Sequence, residues 1–125
     1  VAGPHSAIPP KILAAATDLF FRVGYERVTV DAIVAKAGGS KSNVYKHFGG
    51  KEGLLFAVVE NESATLRRPL DEIDLAGLSI EAALRLIART FLSIIYAGKT
   101  VALHRLVIAQ SSQFPELASA FLANG

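Results

Sequence analysis

The 125-residue chain contains no cysteine. Neither a disulfide nor a thiolate metal site can form, which fits a reducing compartment. It has no apolar run near the roughly 18 residues that a membrane span needs; Arg, Glu or Lys interrupts each one early. Its first residues, VAGPHSAIPP, have no basic stretch ahead of an apolar core, so no secretion signal is expected. These absences lead to the expectation of a cytoplasmic protein without a membrane partner. No segment alternates with period two for long enough to argue a strand, and there are no internal repeats or low-complexity tracts. No Ser/His/Asp set, close carboxylate pair or metal-spaced histidine cluster occurs, because His5, His47 and His104 are scattered. Catalysis, a bound metal and a cofactor are therefore not expected.

The most informative absence is local. No acid lies between Asp31 and Glu52, and residues 32–51 carry Lys36, Lys41, Lys46 and Lys51. Residues 52–84 reverse the balance, with seven acids against Arg67 and Arg68. A net charge of only +2 conceals this segregation. The lysines fall in "GGSKSNVYKHFGGKEGL", residues 38–54, where two glycine pairs bracket a run of hydrogen-bonding side chains. The glycines do not form a phosphate loop of the G-x-x-x-x-G-K-[ST] type. Lys51 is followed by Glu52, and no strand precedes either pair.

Apolar residues make up 51% of the chain and charged ones 19%, enough to build a core without staples. The spacing reads as helix almost throughout. Ile12, Ala15, Ala16, Leu19, Phe20 and Val23 form an amphipathic stripe over 10–23, with Pro9 and Pro10 at its start and Gly24 at its end. Thr29 can cap a short helix over 30–37, stopped by Gly38 and Gly39. Ser40 can cap another over 41–48, stopped by Gly49. A fourth helix is expected from about Lys51 to Pro69, then a linker. Ser79 would cap a fifth over 80–97, Thr100 a sixth over 101–112, and Pro115 would open a seventh.

Two short helices joined by a tight glycine-containing turn make a helix-turn-helix. The second helix of such a pair enters the major groove of DNA, with its first residues at the base edges. Here it reads Lys41, Ser42, Asn43, Val44, Tyr45, Lys46, His47, Phe48. Val44 and Phe48, four apart, form the inward stripe, and the polar and basic remainder faces outward. Lys41 and Lys51 fall at helix N-termini, where a cation is disfavoured by roughly 0.3–1 kcal/mol but a phosphate would be welcome.

The run from Ile12 to Glu60 closely resembles the N-terminal DNA-binding domain of TetR-family transcriptional regulators. The likeness is carried by "AA…LF…GY", "T…AI…AG" and "S…YKHF…KE.L". It implies an all-α fold: a three-helix helix-turn-helix DNA-binding domain, joined by a linking fourth helix to a helical ligand-binding and dimerisation domain. The resulting division is a flexible tail (1–9), the DNA-binding domain (10–52) and the start of the helical domain (53–125). The resemblance assigns Thr29 to the DNA backbone, and Lys41, Ser42 and Asn43 to the groove face alongside Lys46. Tyr45 and His47 would bind phosphate through their polar tips, Lys51 would hold a phosphate, and Phe20, Ile33 and Phe48 would be core. "HRLVIAQSSQFPELASAF" is similar to a stretch of the AcrR- and AefR-like subgroup.

The chain departs from the family pattern at Gly39, where valine is usual and would pack under the turn. It departs again at Gly50, where a capping side chain is usual and its loss costs a few tenths of a kcal/mol. It also ends at Gly125, before two further long helices expected of the family, so the helical domain reads as incomplete.

The resemblance further implies an effector pocket among helices four to seven, with Phe91, Ile95, Tyr96, His104 and Val107 as candidate lining residues. Such a lining suits a hydrophobic or aromatic effector. The expected function is a sequence-specific, ligand-responsive repressor that binds a palindromic double-stranded DNA operator as a homodimer. The alternative is a helical ligand-binding or protein-interaction module without DNA binding.

Overall fold

A computed structural model describes residues 10–124, so the tail expected over 1–9 lies outside the described residues. Seven α-helices follow one another: α1 (Pro10–Arg22), α2 (Val30–Ala37), α3 (Lys41–Phe48), α4 (Lys51–Asp71), α5 (Ile80–Ile95), α6 (Gly98–Gln110) and α7 (Pro115–Asn124). A single 3-10 turn, Tyr25–Arg27, stands between α1 and α2. There is no strand among the described residues.

Helix α4 is the organising element, packing against α1, α3, α5, α6 and α7. Its buried Leu54, Leu55, Val58 and Val59 meet Ile12, Ala15, Ala16 and Phe20 of α1, Ile33 of α2 and Val44 of α3 in one continuous core. Leu103, Leu106, Val107, Phe114 and Leu117 extend that core beneath α6 and α7. Removing each such side chain from water contributes about 1.5–3 kcal/mol, which holds these short helices together. Phe20 and Ile33 are buried as expected, and Phe48 is partly buried against the same cluster.

The caps follow sequence chemistry. Thr29 Oγ1 accepts from Ala32 N at 3.1 Å, Ser40 Oγ from Asn43 N at 3.3 Å, and Ser79 Oγ from Ala82 N at 3.1 Å. Thr100 departs from expectation. Helix α6 begins three residues earlier, with Ala97 as its cap, and Thr100 sits inside it, donating its hydroxyl back to the Ile94 carbonyl. The threonine fastens α6 to the end of α5 rather than starting a helix. Helix α5 ends at Ile95, two residues before the expected limit. Helix α4 runs two residues beyond Pro69, because a proline so near the end removes only one helical hydrogen bond.

Helix α5 has a strongly one-sided apolar pattern, yet none of its residues is buried. Ile80 is 82% exposed, Leu84 62% and Phe91 51%. No single helix among the described residues is long and apolar enough to cross a membrane.

Candidate functional site

Helices α2 and α3 pack against each other, held down by Ile33 and Val44, both fully buried. With Val44 fixed inward, the other positions of α3 take the outer face. Lys41, Ser42, Asn43, Tyr45 and Lys46 are exposed, and His47 is half-buried. Thr29 is exposed at the start of α2. Its cap uses the hydroxyl as an acceptor, which leaves the O–H free to donate outward. Ser42 Oγ lies 3.1 Å from Ser40 Oγ, within the same N-terminal turn.

The four lysines differ in their commitments. Lys36 Nζ lies 3.3 Å from Asp18 Oδ2, which also accepts from Arg22 Nη2 at 2.9 Å. Lys36 therefore ties α2 to α1, and hydrogen bonds from Arg22 and then Lys36 hold the Asp18 carboxyl below its ordinary range. Lys41 Nζ lies 2.8 Å from Asp31 Oδ1, and that carboxylate raises the lysine above its ordinary value. Lys51 Nζ stands 4.1 Å from the centroid of the Tyr25 ring. Lys46 has no ion-pair partner among the described residues.

The placement of Lys41 and Lys51 at helix starts thus has reasons within the fold. Asp31 offsets the first, and the face of the Tyr25 ring attracts the second. Neither lysine is a local misfit.

Both glycine departures look different in three dimensions. Gly39 has φ of 115°, and a Cβ built there meets nothing within 4 Å. No packing under the turn is lost, and this turn uses a backbone conformation open to glycine. Gly50 has φ of 130° and is buried, with a Cβ there 3.4 Å from the Tyr45 ring. It is more than a weak cap, since its positive φ is a backbone conformation that residues other than glycine rarely adopt.

A cavity of about 320 Å³ lies among α4, α5, α6 and α7. Of the five expected lining residues, Phe91, Ile95 and His104 are in its wall. Two are not. Tyr96 is 81% exposed beyond the end of α5, and Val107 is turned into the core. Helical spacing identifies a face, but the direction in which α6 packs decides which residues reach the cavity. Ser63, Leu66, Arg67, Leu70, Thr100 and Phe121 also line it and were not singled out from sequence. The other residues that sequence reasoning missed are Tyr25 and Asp31, whose contacts join separate helices.

The fold and its exposed basic helix define a helix-turn-helix protein with an attached helical domain. Residues 12–58 match the family profile described as bacterial regulatory proteins, tetR family. Residues 82–125 match that of the AefR-like transcriptional repressor C-terminal domain. The chain belongs to the TetR family of transcriptional regulators.

Among its relatives, the HTH-type transcriptional regulator QacR of Staphylococcus aureus is 39% identical over 54 residues, 43% of this chain and 29% of QacR. The HTH-type transcriptional regulator SrpR of Pseudomonas putida is 29% identical over 100 residues, 80% of this chain and 45% of SrpR. The solved structure of the flavonoid-responsive regulator FrrA superposes with a TM-score of 0.77 at 36% identity, covering 93% of this chain and 59% of FrrA. The chain thus spans less than half the length of these two curated relatives.

Proposed function

We propose that the chain carries the DNA-reading and effector-sensing parts of a cytoplasmic, ligand-responsive repressor that binds a palindromic DNA operator as a homodimer. The observation that carries this reading is the outer face of α3. It presents Lys41, Ser42, Asn43, Tyr45 and Lys46 to solvent while Val44 is fully buried. Lys41, Ser42, Asn43 and Lys46 would lie at the groove face, where Ser42 and Asn43 read base edges and the two lysines also neutralise flanking phosphates. Thr29, Tyr45, His47 and Lys51 would bind the phosphate backbone, which positions the protein without specifying sequence. In this reading the DNA-binding domain spans 10–52 and the helical domain begins at 53.

The cavity among α4–α7 would take a hydrophobic or aromatic effector, and the flavonoid response of FrrA agrees with that class. Helix α4 packs against both the DNA-binding helices and the cavity helices, so an effector that shifts it would move α3. The uncovered apolar face of α5 supports association with further helices or with a second subunit.

Selection of bound duplexes from a random pool tests the proposal. Enrichment of a sequence with two inverted half-sites, about one helical turn or a multiple of it apart, is the expected result. Absence of any enrichment would favour the alternative, a helical module that does not read DNA.

A further inference from the structure

We infer that the α4–α7 cavity selects a neutral aromatic molecule bearing a hydroxyl group, with that hydroxyl donating a hydrogen bond to Nε2 of His104. The inference rests on the effector reading of this cavity and names the chemistry it recognises.

His104 Nδ1 lies 3.0 Å from the Thr100 backbone carbonyl oxygen. A carbonyl can only accept, so Nδ1 carries the proton, and Nε2 of the neutral ring is left as an acceptor. Thr100 is itself fixed by its bond to Ile94, and the His104 ring packs at 5.0 Å and 77° against Phe121. The acceptor is therefore held in position before any ligand arrives.

A second polar group in the same wall lacks a partner. Ser63 is 5% exposed and lines the cavity, yet its hydroxyl makes no hydrogen bond. Other helical hydroxyls in this chain satisfy themselves. Thr17, Thr65 and Thr90 donate to carbonyls four residues back at 2.8, 2.9 and 2.8 Å. A buried hydroxyl left unpaired beside a cavity is a place for a ligand's polar atom.

The rest of the wall sets the body of the ligand. Leu66, Leu70, Phe91 and Ile95 make it apolar, and 320 Å³ accommodates roughly two fused or linked rings. Arg67 is engaged with Asp71 at 3.2 Å, so the wall offers no uncommitted arginine to an anion. His104 is exposed and solvent reaches its ring, whereas a purely aliphatic ligand would leave the buried Ser63 hydroxyl unsatisfied and bring no donor to Nε2. A hydroxylated aromatic supplies a donor to the first, and Phe91 and Phe121 supply ring contacts.

The test uses a matched pair, 2-naphthol and 2-methoxynaphthalene, titrated calorimetrically into the chain. They differ in the replacement of the hydroxyl hydrogen by a methyl group, which removes the donor and keeps the ring system, and the wild-type comparison needs no variant. The expected result is that 2-naphthol binds about tenfold more tightly, with His104→Phe reducing the difference to about twofold or less. Equal affinity for the two compounds, no binding of 2-naphthol at millimolar concentration, or a preference that survives His104→Phe would overturn the inference. DNA anisotropy on the same samples separates the two proposals. Salt-dependent DNA binding without the hydroxyl preference removes only this inference, whereas loss of DNA binding alone removes the regulatory reading.

Discussion

Lys51, the first residue of α4, holds its ammonium 4.1 Å from the centroid of the Tyr25 ring. Tyr25 in turn meets Phe20 at 5.2 Å and Phe114 at 5.6 Å, and Phe114 meets Phe56 at 6.5 Å. The cation proposed to hold a phosphate is thus seated on a row of rings. That row runs from α1, through the segment preceding α7, to the second turn of α4. In the proposed reading, a movement of the C-terminal helices would be felt at Lys51 through these packed aromatic contacts.

Replacing Tyr25 tests that seat. Tyr25→Leu removes the cation–ring attraction, about 0.5–1 kcal/mol, together with a tilted contact to Phe20 and an edge contact to Phe114. The expected loss of stability is about 2–4 kcal/mol by urea denaturation, with weaker binding to every duplex. Tyr25→Phe keeps the ring and should retain DNA affinity within about twofold. Equal loss of DNA affinity in both variants would show that the hydroxyl, and not the ring face, matters.

The same residue gives the protein an alkaline signature. Burial, then the charges of Glu52 and Glu26, pushes the Tyr25 phenol up from 10.0 to about 12. Between those values the unfolded chain has lost the proton and the folded one has kept it. The stabilising contribution is therefore complete below about pH 10 and disappears as pH rises through about 12. Urea midpoints between about pH 9 and about pH 11.5 should fall more steeply for the wild type than for Tyr25→Phe. Parallel declines would contradict the assignment.

Ser40 caps α3 through the Asn43 amide at 3.3 Å. Ser40→Ala leaves that amide without its side-chain acceptor, at a cost of about 1 kcal/mol. The melting temperature should drop by several degrees, read by circular dichroism. An unchanged melting temperature would mean that solvent replaces the cap.

The local features of the fold were legible in the sequence, and the contacts between separate helices were not. The limits of α2 and α3, and the caps Thr29, Ser40 and Ser79, follow from glycine stops and hydroxyl acceptors within a few residues. Thr100 misled because a threonine one turn inside a helix can bond a carbonyl outside it, and sequence alone does not separate the two uses. The partners of Lys41 and Lys51 lie ten residues or more away in sequence, so helix-end electrostatics marked both as places for a phosphate without revealing those partners. In the cavity, the resemblance together with helical spacing gave Phe91, Ile95 and His104, while Ser63 and Phe121 emerge only once α4 and α7 are packed.

Asp31 restrains Lys41, so removing it should strengthen DNA binding. Asp31→Asn removes one negative charge beside the α3 N-terminus and frees the lysine for phosphate. The expected outcome is tighter binding to all duplexes. For a dimer, the slope of log affinity against log salt should steepen by about 2. Anisotropy titrations at several salt concentrations would read both, and an unchanged slope would show that Lys41 stays off the phosphates.

Asn43→Ala separates base reading from backbone contact. It should cost about 1–3 kcal/mol on the selected operator and little on random duplex, as measured by competition binding. Uniform weakening on both would reassign Asn43 to the backbone.

The central claim is that the basic face around α3 and the start of α4 binds DNA phosphates. Fluorescence anisotropy with a random duplex, titrated across salt for the wild type and Lys51→Ala, tests it most directly. Lys36 is committed to Asp18, so two to three cations per subunit remain, and a dimer should show a slope of about −4 to −5. Lys51→Ala should weaken binding on all sequences and make the slope shallower by about 2. Absence of salt-dependent binding in the wild type, or a slope untouched by Lys51→Ala, would contradict the account.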